Sequence, residues 1–296
     1  MSVGAYRIGD ALPEPSGRPF TDPAASMSGE NFPVAPGVLP RRLREHLVAV
    51  YRYARFVDDL GDEAAADSRT DLLDEVSADI HRLYAGHAPT LPVVRGLRRT
   101  VVECALPADP LLALVEANVV DQKVTRYETF EDLLDYCMLS ANPVGRIVLH
   151  VVDRATPERL ELSDRICTGL QLLEHWQDVA EDFADPAKGR VYLPQEDLRR
   201  FGVTEHELAA AAASPQLRAL LAFETDRALA WLDSGAPLVS TLRGWGRLAV
   251  SGYVAGGRAA AAELRRCGYD PLTRVPKPRK SHIARAWLTA TVRWPG

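Results

Sequence analysis

The sequence predicts an all-α protein, and three observations carry that prediction. From Leu39 onward, apolar residues recur at three- and four-residue spacing, as one buried stripe of an α-helix requires. Helix-start signals punctuate the chain at regular intervals. Strand-like alternation is nearly absent, apart from the short stretch Arg190-Val191-Tyr192-Leu193.

Taken in order, the first stripe is Leu43, Leu47, Val50, Tyr51, Ala54 and Val57. Ser68 to Tyr84 repeats the period through Leu72, Leu73, Val76, Ile80 and Leu83, ended by Gly86 and Pro89. Asp109-Pro110 reads as a cap with proline in the first turn, opening a helix that carries Leu112, Val115, Val119 and Val120. Thr129 and Asp132 have capping-box spacing. Thr156-Pro157-Glu158 opens a long run through Ile166, Leu170 and Leu173, and Thr204 with Glu207 forms a fuller capping box. Helices are expected from Gln216 to Leu232 and from Pro237 to about Arg266, the second with an interruption at Gly244 or Gly246.

Three regions follow. Residues 1–30 are rich in Gly, Pro and Ser without a period and read as a poorly ordered arm. Residues 31–280 show no internal repeat and no linker, which predicts one helical domain. Residues 281–296 form a tail.

Composition narrows the function. With 296 residues, 47% hydrophobic and 25% charged, the chain has ordinary globular usage. A net charge of -5 argues against a general nucleic-acid binder, which needs a basic field. The four cysteines (Cys104, Cys137, Cys167, Cys267) lack zinc spacing and are expected to be buried, reduced thiols. Met1 to Gly17 lacks the layout of a signal peptide, and no apolar run is long enough to span a bilayer, so a cytoplasmic protein is expected. Arg274, Lys277, Arg279, Lys280 and Arg285 make a basic C-terminal tail. It is either solvated or a peripheral contact to anionic lipid.

Two segments place acids inside apolar helical patterns. Asp58 and Asp62 stand at i and i+4 in the first, Asp178 and Asp182 in the second. On a helix both carboxylates of a pair then share one face, a turn apart, where they repel. Hard divalent cations such as Mg²⁺ take oxygen ligands and bind substrate phosphate, so facing pairs of this kind predict a Mg²⁺-diphosphate site. Glu174 continues the second stripe one turn earlier, with Gln171 three residues before it. A single DDxxD on a helix is usually a solvated face; two such pairs in one all-α chain make coincidence a poor account. The seven histidines show no metal spacing, and His175 reads as a packed or solvent-edge residue rather than one that orients a neighbour. Tyr51, Tyr53 and Phe56 border the first pair and would shorten a cavity if they pointed inward.

These motifs resemble those of a known family. Glu30-Asn31-Phe32-Pro33-Val34, then Val50 to Asp59, look like the opening of the squalene/phytoene synthases, the head-to-head trans-isoprenyl diphosphate synthases. Asp121-Gln122 with Thr125-Arg126-Tyr127, Tyr136-Cys137 with Ser140 to Gly145, and Gln171 to Asp182 followed by Gly189 to Pro194 fit too. So do Tyr253 to Gly257 and Gly268-Tyr269-Asp270. The wording ENFPVA and SANPVGR is most similar to the bacterial hydroxysqualene synthase branch.

The resemblance implies an isoprenoid-synthase fold, a single helical domain around a central cavity, with Mg²⁺ and an isoprenyl diphosphate substrate. It implies that Asp58, Asp62, Glu174, Asp178 and Asp182 surround the metal, and that Arg55, Arg190 and Tyr192 contact the diphosphate. Tyr136, Ala141, Val144 and Gly145 would line the cavity, and Gln171 would face the reacting carbons. Two departures stand out: Glu174 replaces a common asparagine, and Gly257 stands where a tyrosine often occurs.

The most specific expectation is conversion of presqualene diphosphate and water to hydroxysqualene and diphosphate. The same ionisation also suits a prenyltransferase whose cation meets a second prenyl diphosphate or a small aromatic acceptor. A non-catalytic relative acting as a binding or assembly protein is the reading from another class.

Overall fold

The computed structural model describes residues 39–185 and 189–276. The N-terminal arm, most of the basic tail and the ENFPVA stretch lie outside the described residues. The chain divides into two compact units, residues 39–123 and 124–276 within the described range.

In the first unit α1 (Arg41–Glu63), α2 (Arg69–Tyr84), α3 (Pro92–Glu103) and α4 (Asp109–Val120) share one core. Of the expected stripe of α1, Val50 and Val57 are buried while Leu43, Leu47, Tyr51 and Ala54 are half-buried. Tyr53 and Leu60 complete the buried face, which meets a core of Leu73, Val76 and Ile80 of α2, Leu97 of α3 and Leu111 of α4. Tyr53 belongs to this core: its hydroxyl donates to the Leu111 carbonyl at 2.9 Å, and burial raises its pKa. It therefore does not border the aspartate pair as a plug.

Helix α3 is absent from the sequence reading, because Gly96 weakens its pattern and Leu91 offers no capping side chain. Its cap comes from α2. Buried Asp79 accepts from the Thr90 and Leu91 amides at 2.8 and 2.9 Å, and from the Thr90 hydroxyl at 3.0 Å.

The second unit contains α5 (Phe130–Ser140), α6 (Asn142–Val151), α7 (Pro157–Ala184), α8 (Gln195–Phe201), a 3₁₀ turn (Glu205–Ala209), α9 (Pro215–Gly235), α10 (Leu238–Thr241) and α11 (Gly244–Arg266). The Thr129/Asp132 capping box forms at 3.2 and 2.9 Å. The Thr204/Glu207 box heads only the five-residue 3₁₀ turn. The predicted helix from Pro237 is two helices, parted where Gly244 takes φ +56°.

Small residues set how closely α7 meets its neighbours. A Cβ on Gly169 would stand 2.7 Å from the Leu232 nitrogen and 2.8 Å from the Ala228 carbonyl. One on Gly235 would stand 2.4 Å from the Leu162 carbonyl. The two contacts run in opposite chain order, so α7 and α9 are antiparallel with backbones nearly touching.

Beneath them, Arg227 binds both Asp197 and Glu224 at 2.5 Å and lies 3.7 Å over the Phe130 ring. Near the end, Asp270 accepts from the Ala213 amide at 3.0 Å and pairs with Arg218 at 2.6 Å, a structural role for the Gly268-Tyr269-Asp270 motif.

The strand-like stretch forms a single parallel bridge, Val191 with Arg126, and no strand exists among the described residues. Of the four free thiols only Cys137 is buried. The expectation of four buried thiols fails because Cys104 and Cys267 are C-terminal caps of helices, part-buried like Cys167. No described helix is long and apolar enough to cross a membrane.

Candidate active site

In the first unit the second half of α1 carries the acidic motif. Asp58 is reached by solvent, yet protein surrounds it closely enough that desolvation raises its pKa, with the Asp62 charge adding to the shift. A hydrogen bond from Asn118 Nδ2 on α4, at 3.2 Å, and the Arg55 charge oppose the rise. Asn118 approaches α1 at Gly61, where a Cβ would lie 2.2 Å from its Oδ1.

Gln122 donates to the Gly61 carbonyl at 3.1 Å, and Arg69 donates to the Gln122 side chain at 3.3 Å and to the Asp62 carbonyl at 3.0 Å. Arg55 pairs with Asp59 at 2.8 Å and lies 3.9 Å from Glu63. Asn118 and Arg69 escaped the sequence reading. The available signal was an asparagine on the buried stripe of α4, where an apolar residue belongs.

In the second unit the last three turns of α7 hold the other acids. Asp182 is raised to about 7, first by desolvation and then by the Asp178 charge one turn earlier, while Arg190 pulls it down. The i, i+4 spacing thus does place Asp178 and Asp182 within electrostatic reach. Glu174, a turn before, is exposed and adds to the same repulsion.

The return loop is held beside α7 by its backbone. Gly189, at φ +51°, bonds the Asp185 carbonyl at 2.8 Å, and the Arg190 amide bonds the Asp182 carbonyl at 2.9 Å. The Val191 amide then bonds the Thr125 carbonyl at 2.9 Å. Arg126 clamps the turn through the Gly189 carbonyl at 2.6 Å and Glu205 at 2.7 Å.

Behind the acids stands an aromatic wall. Tyr192 stacks on His175 with ring centres 3.6 Å apart and planes 13° apart. Tyr136 lies 5.8 Å from Tyr192, and Tyr127 lies 5.5 Å from Tyr136 and 5.8 Å from Tyr192. His175 is buried, and desolvation with the nearby Arg190 charge lowers its pKa to about 3, so its imidazole is neutral. Gln171 Nε2 lies 3.1 Å from His175 Nε2. Gln171, Tyr136, Asp182, Arg190 and Tyr192 are therefore brought together, and of the two readings of His175, packed or solvent-edge, the structure shows the packed one.

Ala141 and Val144 are divided: Ala141 is buried at the start of α6, and Val144 is 47% exposed. Gly145 serves packing, since a Cβ there would meet Ser163 Oγ at 2.4 Å and Cys167 Sγ at 2.5 Å.

The donor set can be tested against Mg²⁺. Among the described residues no three His, Cys, Asp or Glu side chains converge as a preformed metal cage. Mg²⁺ is usually held by one or two carboxylates together with substrate phosphates and water, so paired aspartates fit it without a cage. A carboxyl raised to about 7 by desolvation and then by its like-charged neighbour is a site where a cation would relieve repulsion.

Comparison with known proteins follows the same lines. The sequence profile of the squalene/phytoene synthases matches residues 26–283. A hydroxysqualene synthase of Rhodopseudomonas palustris is 34% identical over 216 residues, 72% of each chain. A presqualene diphosphate synthase of the same organism is 31% identical over 214 residues, covering 71% of this chain and 75% of that protein. The crystal structure of squalene synthase HpnC from Alicyclobacillus acidocaldarius is 44% identical with a TM-score of 0.72, over 78% of this chain and 86% of that one.

Proposed function

Because this chain belongs to the squalene/phytoene synthase family, we propose that it is a Mg²⁺-dependent synthase that ionises presqualene diphosphate and lets water capture the cation, giving hydroxysqualene and diphosphate. The observation that carries the reading is the grouping on α7: the Asp178/Asp182 pair beside Arg190, backed by Gln171 and the wall of Tyr136, His175 and Tyr192. The similarity to a hydroxysqualene synthase and to HpnC supports the choice of reaction.

Asp58 and Asp62 on α1, and Asp178 and Asp182 on α7 with Glu174 in the asparagine's place, are the carboxylates that would be offered to Mg²⁺. Mg²⁺ supplies Lewis acidity toward the leaving diphosphate. Arg190 offers a guanidinium to the diphosphate oxygens, and the Tyr192 hydroxyl, 3.5 Å from Arg190 Nη1, extends that polar edge. The C–O bond breaks with its electron pair leaving on diphosphate. The packed aromatic wall of Tyr136 and Tyr192 would help exclude bulk water from the resulting carbocation. The Gln171 side chain, held by His175, is placed to orient one water, whose oxygen forms the new bond and then gives up a proton. No side chain acts as nucleophile.

The test incubates the chain with Mg²⁺ and presqualene diphosphate in water enriched in heavy oxygen. Diphosphate release with label in a C30 alcohol is the expected result; the absence of both overturns the reading. The similarity to a presqualene diphosphate synthase favours one alternative, condensation of two prenyl diphosphates. Formation of presqualene diphosphate from farnesyl diphosphate would support it.

A further inference from the structure

Positive charge gathers on one face of this net-acidic chain. The N-terminal half of α1, before the acidic motif, and the outer surface of α3 carry six exposed arginines, Arg41, Arg42, Arg52, Arg95, Arg98 and Arg99, with Glu45 and Glu103 among them. Glu45 and Glu103 tie that face together rather than neutralise it: Arg99 bonds both at 2.8 Å, Arg41 bonds Glu45 at 2.8 Å, and Arg42 lies 3.4 Å from Glu103. Arg41 and Arg42 keep 85% and 66% of their side-chain surface in solvent.

Apolar surface sits among these charges. Val102 is 73% exposed, the most of any large hydrophobic residue among those described. It lies in a shallow depression on α3 with Arg95, Arg98, Arg99 and Glu103. Toward the start of α3 an open groove of about 410 Å³ is lined by Val48, Ala49, Pro92 and Val93, with Arg44, Glu45 and Arg52 among its polar residues.

We propose that this α1–α3 face docks the protein on the surface of an anionic phospholipid bilayer. Arginines meet lipid phosphates, while Val102 and the aliphatic groove enter the zone between headgroup and acyl chain, the combination found in membrane-surface helices. A nucleic acid offers the phosphates without an apolar layer, and the groove lining contains no aromatic residue on which bases could stack. The inference stands on the face itself; the proposed reaction adds that an apolar C30 product has to leave into lipid.

The experiment is co-sedimentation of the full chain, without substrate, with vesicles of phosphatidylcholine alone or mixed with phosphatidylglycerol. Binding to the anionic vesicles only, weakening as salt shortens the screening length, is expected. Arg42→Glu/Arg98→Glu and Val102→Asp should each lower the partition coefficient about tenfold or more, with thermal melting and diphosphate release from detergent-dispersed substrate unchanged. A variant with Lys277, Arg279 and Lys280 changed to Gln should still bind. The proposal is overturned if the wild type stays in the supernatant, if Arg42→Glu/Arg98→Glu sediments like wild type, if the tail variant alone loses binding, or if duplex DNA binds this face more tightly than the vesicles do.

Discussion

Asn118 on α4 donates its Nδ2 to Asp58 on α1 at 3.2 Å, and does so over the bare backbone of Gly61. The same amide nitrogen also reaches the Leu114 carbonyl at 3.1 Å, so its orientation is set within α4 before it meets the acid. A carboxylate fixed in this way presents its remaining lone pairs in one direction.

Asn118→Ala should therefore weaken Mg²⁺ use without unfolding the protein. Loss of a partner that orients a metal ligand typically costs about 10–100-fold in metal affinity or activity. A Mg²⁺ titration of diphosphate release should shift its midpoint upward within that range. An unchanged midpoint would separate Asn118 from the metal.

Asp58→Asn and Asp178→Asn should each abolish turnover while the melting temperature stays close to wild type. Desolvation already disfavours the charge on Asp58, so a neutral amide of the same shape removes repulsion with little loss of packing. Diphosphate release and circular dichroism on the same samples check both halves of this statement. Full activity in either variant would remove that aspartate from the metal site.

What the sequence disclosed and what it hid divide by range. The pairs Asp58/Asp62 and Asp178/Asp182 and the Thr129 capping box depend only on local spacing, so local pattern was enough. The stripe of α1 is legible only in part, its buried face running through Tyr53 and Leu60 rather than Tyr51 and Ala54. Asn118 beneath Asp58, Asp79 capping α3 and Tyr192 stacked on His175 are contacts between segments 12 to 60 residues apart. Nothing in the periodicity of either partner signals them. The Arg55–Asp59 ion pair is the opposite case, an i, i+4 contact that helical spacing does anticipate.

A pH dependence of stability follows from Glu224. One guanidinium, Arg227, faces two buried carboxyls, Asp197 and Glu224, and burial pushes Glu224 up to about 8 from an ordinary 4.5. The folded state then holds a proton that the unfolded chain releases above pH 4.5. Stability should fall as pH rises from 4.5 through 8, because the native state binds more protons in that window. Glu224→Gln should flatten the decline. Urea midpoints at pH 5 and pH 8.5 measure it; equal slopes in both proteins would mean Glu224 is ionised in the fold.

Two glycine-to-alanine changes should move stability in opposite directions. Both positions are helical, so alanine lowers the entropy of the unfolded chain at each, a gain of about 0.4–1 kcal/mol. At Gly96 a Cβ meets nothing within 4 Å, and that gain should appear as a higher melting temperature. At Gly169 the Cβ would lie 2.7 Å from the Leu232 nitrogen and 2.8 Å from the Ala228 carbonyl, backbone atoms that move only if α7 and α9 separate. Overpacking of that kind costs about 1–3 kcal/mol and outweighs the entropic gain. Parting the helices would also shift α7, which carries Gln171, Asp178 and Asp182 within four turns of Gly169. Gly169→Ala should thus lower both the melting temperature and diphosphate release, whereas Gly96→Ala should leave release unchanged. Equal melting shifts for the two variants would show that the α7–α9 contact is loose.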